Sequence, residues 1–195
     1  APVPELVARL SWARELAAED PTVLGAHLEG PFLSPARNGA HLAGALCEPK
    51  TDVVTALIEA GRGVLRQITI APELPGALDA IAAFSAAGVI PAIGHTTADL
   101  EHTERAFDAG ARLLTHAFNA MPGLGHRDPG PVAAAFDRPE VTLELILDGV
   151  HLDARIAALA FALAPGRVAL ITDAMAAAGE ADGDYQLGGV DVSVE

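Results

Sequence analysis

Cysteine is almost absent. The single thiol, Cys47, cannot close an internal disulfide, which fits a reducing compartment, and the cytoplasm is the expected location. Basic residues are few: 12 Lys and Arg against 26 Asp and Glu give a formal net charge of −14. Nucleic acid and anionic membrane surfaces both ask for a basic face, so neither is an expected partner. A small anion is not excluded by this balance, because screening over about 8 Å leaves the field of a pocket to its nearest groups. No apolar run approaches a membrane span, and the opening residues lack a basic stretch followed by an apolar one, as a secretory leader would have. Aromatics make up only 4% of the 195 residues.

What is present is small and apolar: hydrophobic residues are 51% of the chain, dominated by Ala, Val and Leu. That mix suits helices packed closely on a buried parallel sheet, with length for one sizeable core. Leu6, Leu10, Ala13 and Ala17 have helical spacing after Pro4, and TVLGAHLEG follows as a strand. Thr51 is placed as the cap of a helix with Val54, Leu57 and Ile58, closed by Gly61; RQITIAPE is the next strand. A helix through Leu78, Ile81 and Ser85 leads to the strand VIPAIGHTT. Thr96 or Thr97 then caps a helix with Leu100 and Phe107, and RLLTHAFN is a strand. MPGLGHRDPGP is read as a loop, VTLELILDGVH as a strand, Asp153 as the cap of a helix to Leu163, and RVALITDAM as the last clear strand.

Six strands alternating with helices imply βαβ units and a parallel sheet, either doubly wound or a (β/α)8 barrel. The barrel is favoured, because nearly every strand ends in a polar group: His27 and Glu29, Glu73, His95, His116 and Asn119, Asp148 and His151, Asp173. Barrel sites draw on many strand ends, whereas a doubly wound sheet concentrates its site at one crevice. The chain opens without Met and stops within a strand-like segment, VDVSVE, so it reads as a piece of a longer protein.

His95 and His116 end neighbouring strands, and two imidazoles with a carboxylate, here Glu29, are a usual ligand set for a catalytic zinc. Either histidine alone reads as well as a hydrogen-bonded strand end; their company at one end of the sheet favours a site. Asp173 suits proton transfer to and from water in metal-assisted hydrolysis, with helix capping as its structural alternative. Arg127 and Asn119 bracket a Gly/Pro-rich loop that suits a phosphate, or else Arg127 is a solvated surface residue. His27, two residues before Glu29, is a candidate support for the ligands. Glu73 is given a structural or supporting part. Cys47, His102 and His126 are given no role.

The blocks GAHLEGPFLSPARNGAH, GHTTADLEHTERAFDAGARLLTHAFNAMPGLGHRDPG, LILDGVHLD and LITDAM, in this order between Val23 and Met175, resemble the N-acetylglucosamine-6-phosphate deacetylases of the amidohydrolase superfamily. The resemblance implies metal binding by Glu29, His95 and His116, with Asp173 as general base and acid. It implies that His41 polarises the acetyl carbonyl and orients the sugar, that His151 contacts substrate, and that Asn119, Ala120 and Arg127 bind the phosphate. In such a family the arginine can come from the partner of a homodimer. The implied reaction releases acetate and glucosamine 6-phosphate; the cofactor is a divalent metal, zinc by default, with iron, manganese or cobalt also suited. Related readings are an N-acetylgalactosamine-6-phosphate deacetylase or a non-catalytic sugar-phosphate-binding protein.

The resemblance also implies what lies outside the segment. Counting back from Asp173 makes TVLGAHLEG the third barrel strand, so the expectation is an incomplete barrel of about strands 3 to 8 over residues 1–184. Residues 185–195 would begin a small β-sandwich that is otherwise missing. A second metal site stays open, and the isolated segment is expected to be poorly stable or inactive.

Overall fold

The computed structural model describes residues 1–187 and 190–194. Helix α1 (Val3–Glu19) starts behind Pro2, with Pro4 in its first turn where no intrahelical N–H partner is needed, and buries Leu10 in the core. Strand β1 (Ala26–Glu29) precedes a long connection to helix α2 (Thr51–Ala60). Lys50, not Thr51, is the capping residue there, and it makes no side-chain cap bond. Gly61 closes α2 for a steric reason: a Cβ at this position would lie 2.5 Å from the Cβ of Leu65, where strand β2 (Leu65–Ile70) begins. Helix α3 (Ala77–Ala86) and strand β3 (Ile90–Ile93) follow as the apolar spacing predicts.

Helix α4 (Leu100–Asp108) is capped by Asp99, whose carboxylate accepts the His102 backbone N–H at 2.9 Å. Thr96 and Thr97, the caps expected from sequence, have their hydroxyls committed to Glu73 instead. An Asp99→Ala substitution is therefore expected to cost about 1 kcal/mol, the usual worth of such a cap, readable as a lower melting temperature.

Strand β4 (Leu113–Leu114) is much shorter than RLLTHAFN, because the chain enters left-handed conformations at His116, Phe118 and Ala120. Helix α5 (Gly130–Phe136) is an addition to the elements read from the sequence: it starts inside the Gly/Pro-rich stretch, and its seven residues are too few for helical periodicity to register. Strand β5 (Thr142–Ile146), helix α6 (Ala154–Leu163) with Asp153 as its cap, and strand β6 (Val168–Ile171) match their predicted places. Strands β7 (Gly183–Leu187) and β8 (Val190–Val194) form an antiparallel pair where the start of a second domain was expected. Gly188, Gly189 and Glu195 of that segment lie outside the described residues.

β1 to β6 form one sheet, all parallel, in the order of the sequence. A doubly wound sheet reverses its strand order at a switch point; a barrel adds each strand beside the last, and this sheet does the second. Among the described residues its two edges, β1 and β6, are unpaired, so it is part of a barrel wall. Ile68, Ile70, Ile93, Leu114, Leu143 and Leu145 are buried in the apolar core with residues of the helices. The alternate positions are polar: Thr69 and Thr115 share a hydroxyl bond of 2.8 Å, and Gln67 donates to Glu144 at 3.0 Å. Gly94 lets the chain pass this row, since a Cβ on it would be 2.9 Å from both threonines, and it delivers the next residue, His95, to the end of the sheet. None of the described helices is long and apolar enough to cross a membrane.

A candidate metal centre at the strand ends

Glu29 closes β1, His95 follows β3 and His116 follows β4, and their side chains meet. Glu29 Oε1 is 3.1 Å from His95 Nε2 and 2.9 Å from His116 Nε2, and the two nitrogens are 3.1 Å apart. His95 is 6% exposed and His116 3%, so water does little to solvate either ring. Both histidines hold positive φ, 46° and 30°, as does Asp173 at 50°. Left-handed backbone at a residue other than glycine costs on the order of 1–3 kcal/mol and persists only where the surroundings enforce it. Here it turns each side chain off its strand and towards one mouth of the sheet.

The protonation pattern tests whether this cluster suits a cation. His95 Nδ1 lies 2.6 Å from the Arg37 carbonyl and must donate to it, so the neutral ring carries its lone pair on Nε2. That lone pair faces a carboxylate oxygen at 3.1 Å, and two acceptors at this distance repel unless a proton or a cation stands between them. Donor atoms of Glu29, His95 and His116 all lie within 4.8 Å of one another. Two imidazoles and one carboxylate are borderline donors that suit zinc and its neighbours, and the residues present fit the group.

The electrostatics agree. Burial pushes the Glu29 carboxyl up, but His116, His41 and His95, acting as protonated partners, more than offset this and hold it far below the usual carboxylate range. Burial pushes His116 down, and the bond and charge of Glu29, with the more distant charge of Asp173, turn the net shift upward. A cation in the same place would take over the role of that proton.

The other residues singled out in the sequence fall into two groups. His41 is at the centre: its Nε2–H donates to Glu29 Oε2 at 2.8 Å, and its ring stands edge-on to His95. Asp173 shares with Glu29 a cleft of about 640 Å3 that His27, Thr115 and Glu144 also line. Asn119 and Ala120 belong to the left-handed turn after His116; the Asn119 N–H donates to the His116 carbonyl, and its Nδ2 is buried without a partner among the described residues. Arg127 and His151 stand apart. Arg127 is exposed in the loop before α5, and the exposed His151 bonds to Asp148 at 2.7 Å. Backbone N–H groups of His151 and Val150, and then the His151 ring, hold the Asp148 carboxyl well below its ordinary range.

His27 does not support the ligands directly: it bonds Thr69 at 2.8 Å, a row deeper in the sheet. His102 is exposed and bonds Asp99, while burial raises the Cys47 thiol, the wrong direction for a nucleophile. Sequence reasoning missed the Arg37 carbonyl that sets the His95 tautomer, because a backbone acceptor leaves no residue-type signal. It also missed Gly39, where a Cβ would come within 2.9 Å of His95 Cε1. The positive φ of 54° at that glycine was foreshadowed only by the turn-forming pair Asn38 and Gly39.

Parallel strands in sequential order, with paired imidazoles and carboxylates at their carboxyl ends, define the class: a segment of a barrel whose strand ends form a candidate metal site. No family model matches the chain. Over 189 residues it is 36% identical to an N-acetylglucosamine-6-phosphate deacetylase of Vibrio furnissii, covering 97% of this chain and 47% of the relative. Over 172 residues it is 42% identical to an N-acetylgalactosamine-6-phosphate deacetylase of Escherichia coli O157:H7, covering 88% and 46%. Its fold superposes with a TM-score of 0.94 and 43% identity on an N-acetyl-D-glucosamine-6-phosphate deacetylase of Mycobacterium smegmatis, an aspartate-to-alanine variant in complex with N-acetyl-D-glucosamine-6-phosphate, over 100% of this chain and 51% of that one. Along nearly its whole length the segment is similar to the N-acetylglucosamine-6-phosphate deacetylases. It spans about half the length of the curated relatives it matches.

Proposed function

We propose that the protein hydrolyses the N-acetyl group of N-acetylglucosamine 6-phosphate to glucosamine 6-phosphate and acetate, as a step of amino-sugar catabolism in the cytoplasm. The observation that carries this reading is the convergence of Glu29, His95 and His116 on one point, with Glu29 lining a cleft that Asp173 also lines. Glu29, His95 and His116 would hold a divalent metal, zinc for preference, which supplies Lewis-acid polarisation to a carbonyl and to water. Asp173, outside the ligand set, takes the proton of the attacking water and returns it to the departing amine. His41, whose Nε2–H is held by Glu29 here, would turn that N–H to the acetyl oxygen as negative charge develops there. The turn at Asn119 and Ala120, with Arg127, receives the phosphate, and His151 touches the sugar. In the assembled protein Arg127 would serve a homodimer partner, which suits its exposed position here.

On this reading β1 to β6 are strands 3 to 8 of a (β/α)8 barrel, residues 1–184 belong to it, and residues 185–195 open a β-sandwich. The test of substrate class uses the protein in its full length. Arg127→Ala is expected to raise KM for the phosphorylated sugar about 10- to 100-fold, the worth of one charge-assisted bond, with much less change in kcat. Equal hydrolysis of phosphorylated and plain N-acetyl sugars would remove the phosphate from the proposal.

A second reading, N-acetylgalactosamine 6-phosphate as substrate, is favoured by the 42% identity to the enzyme so named. The two sugars differ in the orientation of one hydroxyl, so kcat/KM measured on both epimers separates the readings.

A further inference from the structure

We propose that Glu73 is a positioning residue, holding the His95 ligand and the Asn119–Ala120 turn in register with each other. This inference rests on the function proposed above. Glu73 leaves the end of β2 two residues after Ala71, whose own N–H is tied to the Phe32 carbonyl at 2.8 Å. From that anchored base its carboxylate reaches across to the two residues that follow His95. Oε1 accepts from the Thr97 N–H at 2.6 Å and from the Thr97 hydroxyl at 3.0 Å. Oε2 accepts from the hydroxyl of Thr96, which is fully buried.

Thr96 is the joint. Its hydroxyl also accepts from the Ala98 N–H at 2.9 Å, so its one hydrogen is left for Glu73. Its backbone N–H donates to the Ala120 carbonyl at 3.0 Å, linking the loop after β3 to the left-handed turn after β4. On the other side, the His95 carbonyl accepts the Ser34 N–H at 2.9 Å. His95 at a φ of 46° is thereby gripped on both flanks, and the Glu73 flank is the one that also reaches Ala120. A surface carboxylate that merely capped a helix would serve the first turn of α4; Asp99 does that separately.

Only an ionised carboxylate satisfies all three donors. Glutamine keeps a carbonyl oxygen for both Thr97 donors but turns its amide towards Thr96, whose proton then loses its acceptor. Alanine loses all three bonds. The effects should therefore be graded.

The experiment measures Zn²⁺ affinity of the full-length protein by competition with a chromophoric chelator, alongside kcat and KM for N-acetylglucosamine 6-phosphate at saturating metal. Glu73→Ala is expected to weaken Zn²⁺ binding about 10- to 100-fold, the usual effect of removing a group that orients a ligand, and to raise KM. Glu73→Gln is expected to fall between that variant and wild type. Asp99→Ala, which loosens the neighbouring helix cap alone, is expected to lower the melting temperature with Zn²⁺ affinity unchanged. Should Glu73→Ala fail to fold, Glu73→Gln carries the comparison by itself. Wild-type Zn²⁺ affinity and KM in a Glu73 variant whose melting temperature has dropped would overturn the proposal and leave the function standing. Absence of Zn²⁺ binding in the wild type would overturn both.

Discussion

Asp173→Asn is expected to leave metal content unchanged and to lower kcat about 10²- to 10⁴-fold, the range spanned by loss of a general base and acid. Asparagine is the informative replacement because Asp173 holds a φ of 50°, a region that both Asn and Asp adopt more readily than most other residues. Shape and backbone are therefore kept while the basic oxygen is lost. The metal should stay, because the converging donor set consists of Glu29, His95 and His116. Metal analysis together with acetate release on the full-length protein checks both halves. An unchanged kcat would take Asp173 out of the reaction, and loss of metal would make it a ligand.

His116→Asn is expected to have an effect at least as large, by a different route. The φ of 30° at His116 is again compatible with asparagine, so the chief loss is an imidazole from a set of three ligands. With only Glu29 and His95 left, metal affinity and turnover should both fall, the latter by more than about 10³-fold at low free metal. Treating the wild type with a strong chelator should reproduce the loss, and added Zn²⁺ should reverse it. A metal that binds the folded state adds to its stability by mass action, so the stripped protein should also melt lower than the loaded one, and the variant should show little of that difference. Affinity should decline as pH falls, since protons compete for the imidazoles. Full activity in excess chelator, with the metal shown to be gone, would sink the proposed chemistry.

The residues that carry these predictions were legible in the sequence to different degrees. His95 and His116 stood out because each ends an apolar run one βα unit from the other, which places them on adjacent strands, and the sheet does pair β3 with β4. Glu29 depended on the barrel, since β1 and β3 are separated by β2 and only a curled sheet brings its side chain to theirs. His41 lies in an irregular connection with no periodicity, and its place beside Glu29 was implied by family resemblance alone. Caps were the weakest part. Thr51, Thr96 and Thr97 all had the right side chain for capping, but a hydroxyl goes to the strongest acceptor in reach, and for Thr96 and Thr97 that is the Glu73 carboxylate from another βα unit.

By itself the sequence determined the six parallel strands and most of their helices, because a strand covered on both faces writes a short apolar run and a helix buried on one face writes its period into the order of residues. It also determined which residue types stand at the strand ends. Only the tertiary structure decided how those residues are oriented and protonated: the Arg37 carbonyl that leaves His95 Nε2 bare, the left-handed turns that aim His95, His116 and Asp173, and the Glu73 bonds that tie two loops together. Each of these depends on groups distant in the chain or on backbone atoms common to every residue, so no local pattern of side chains could encode it.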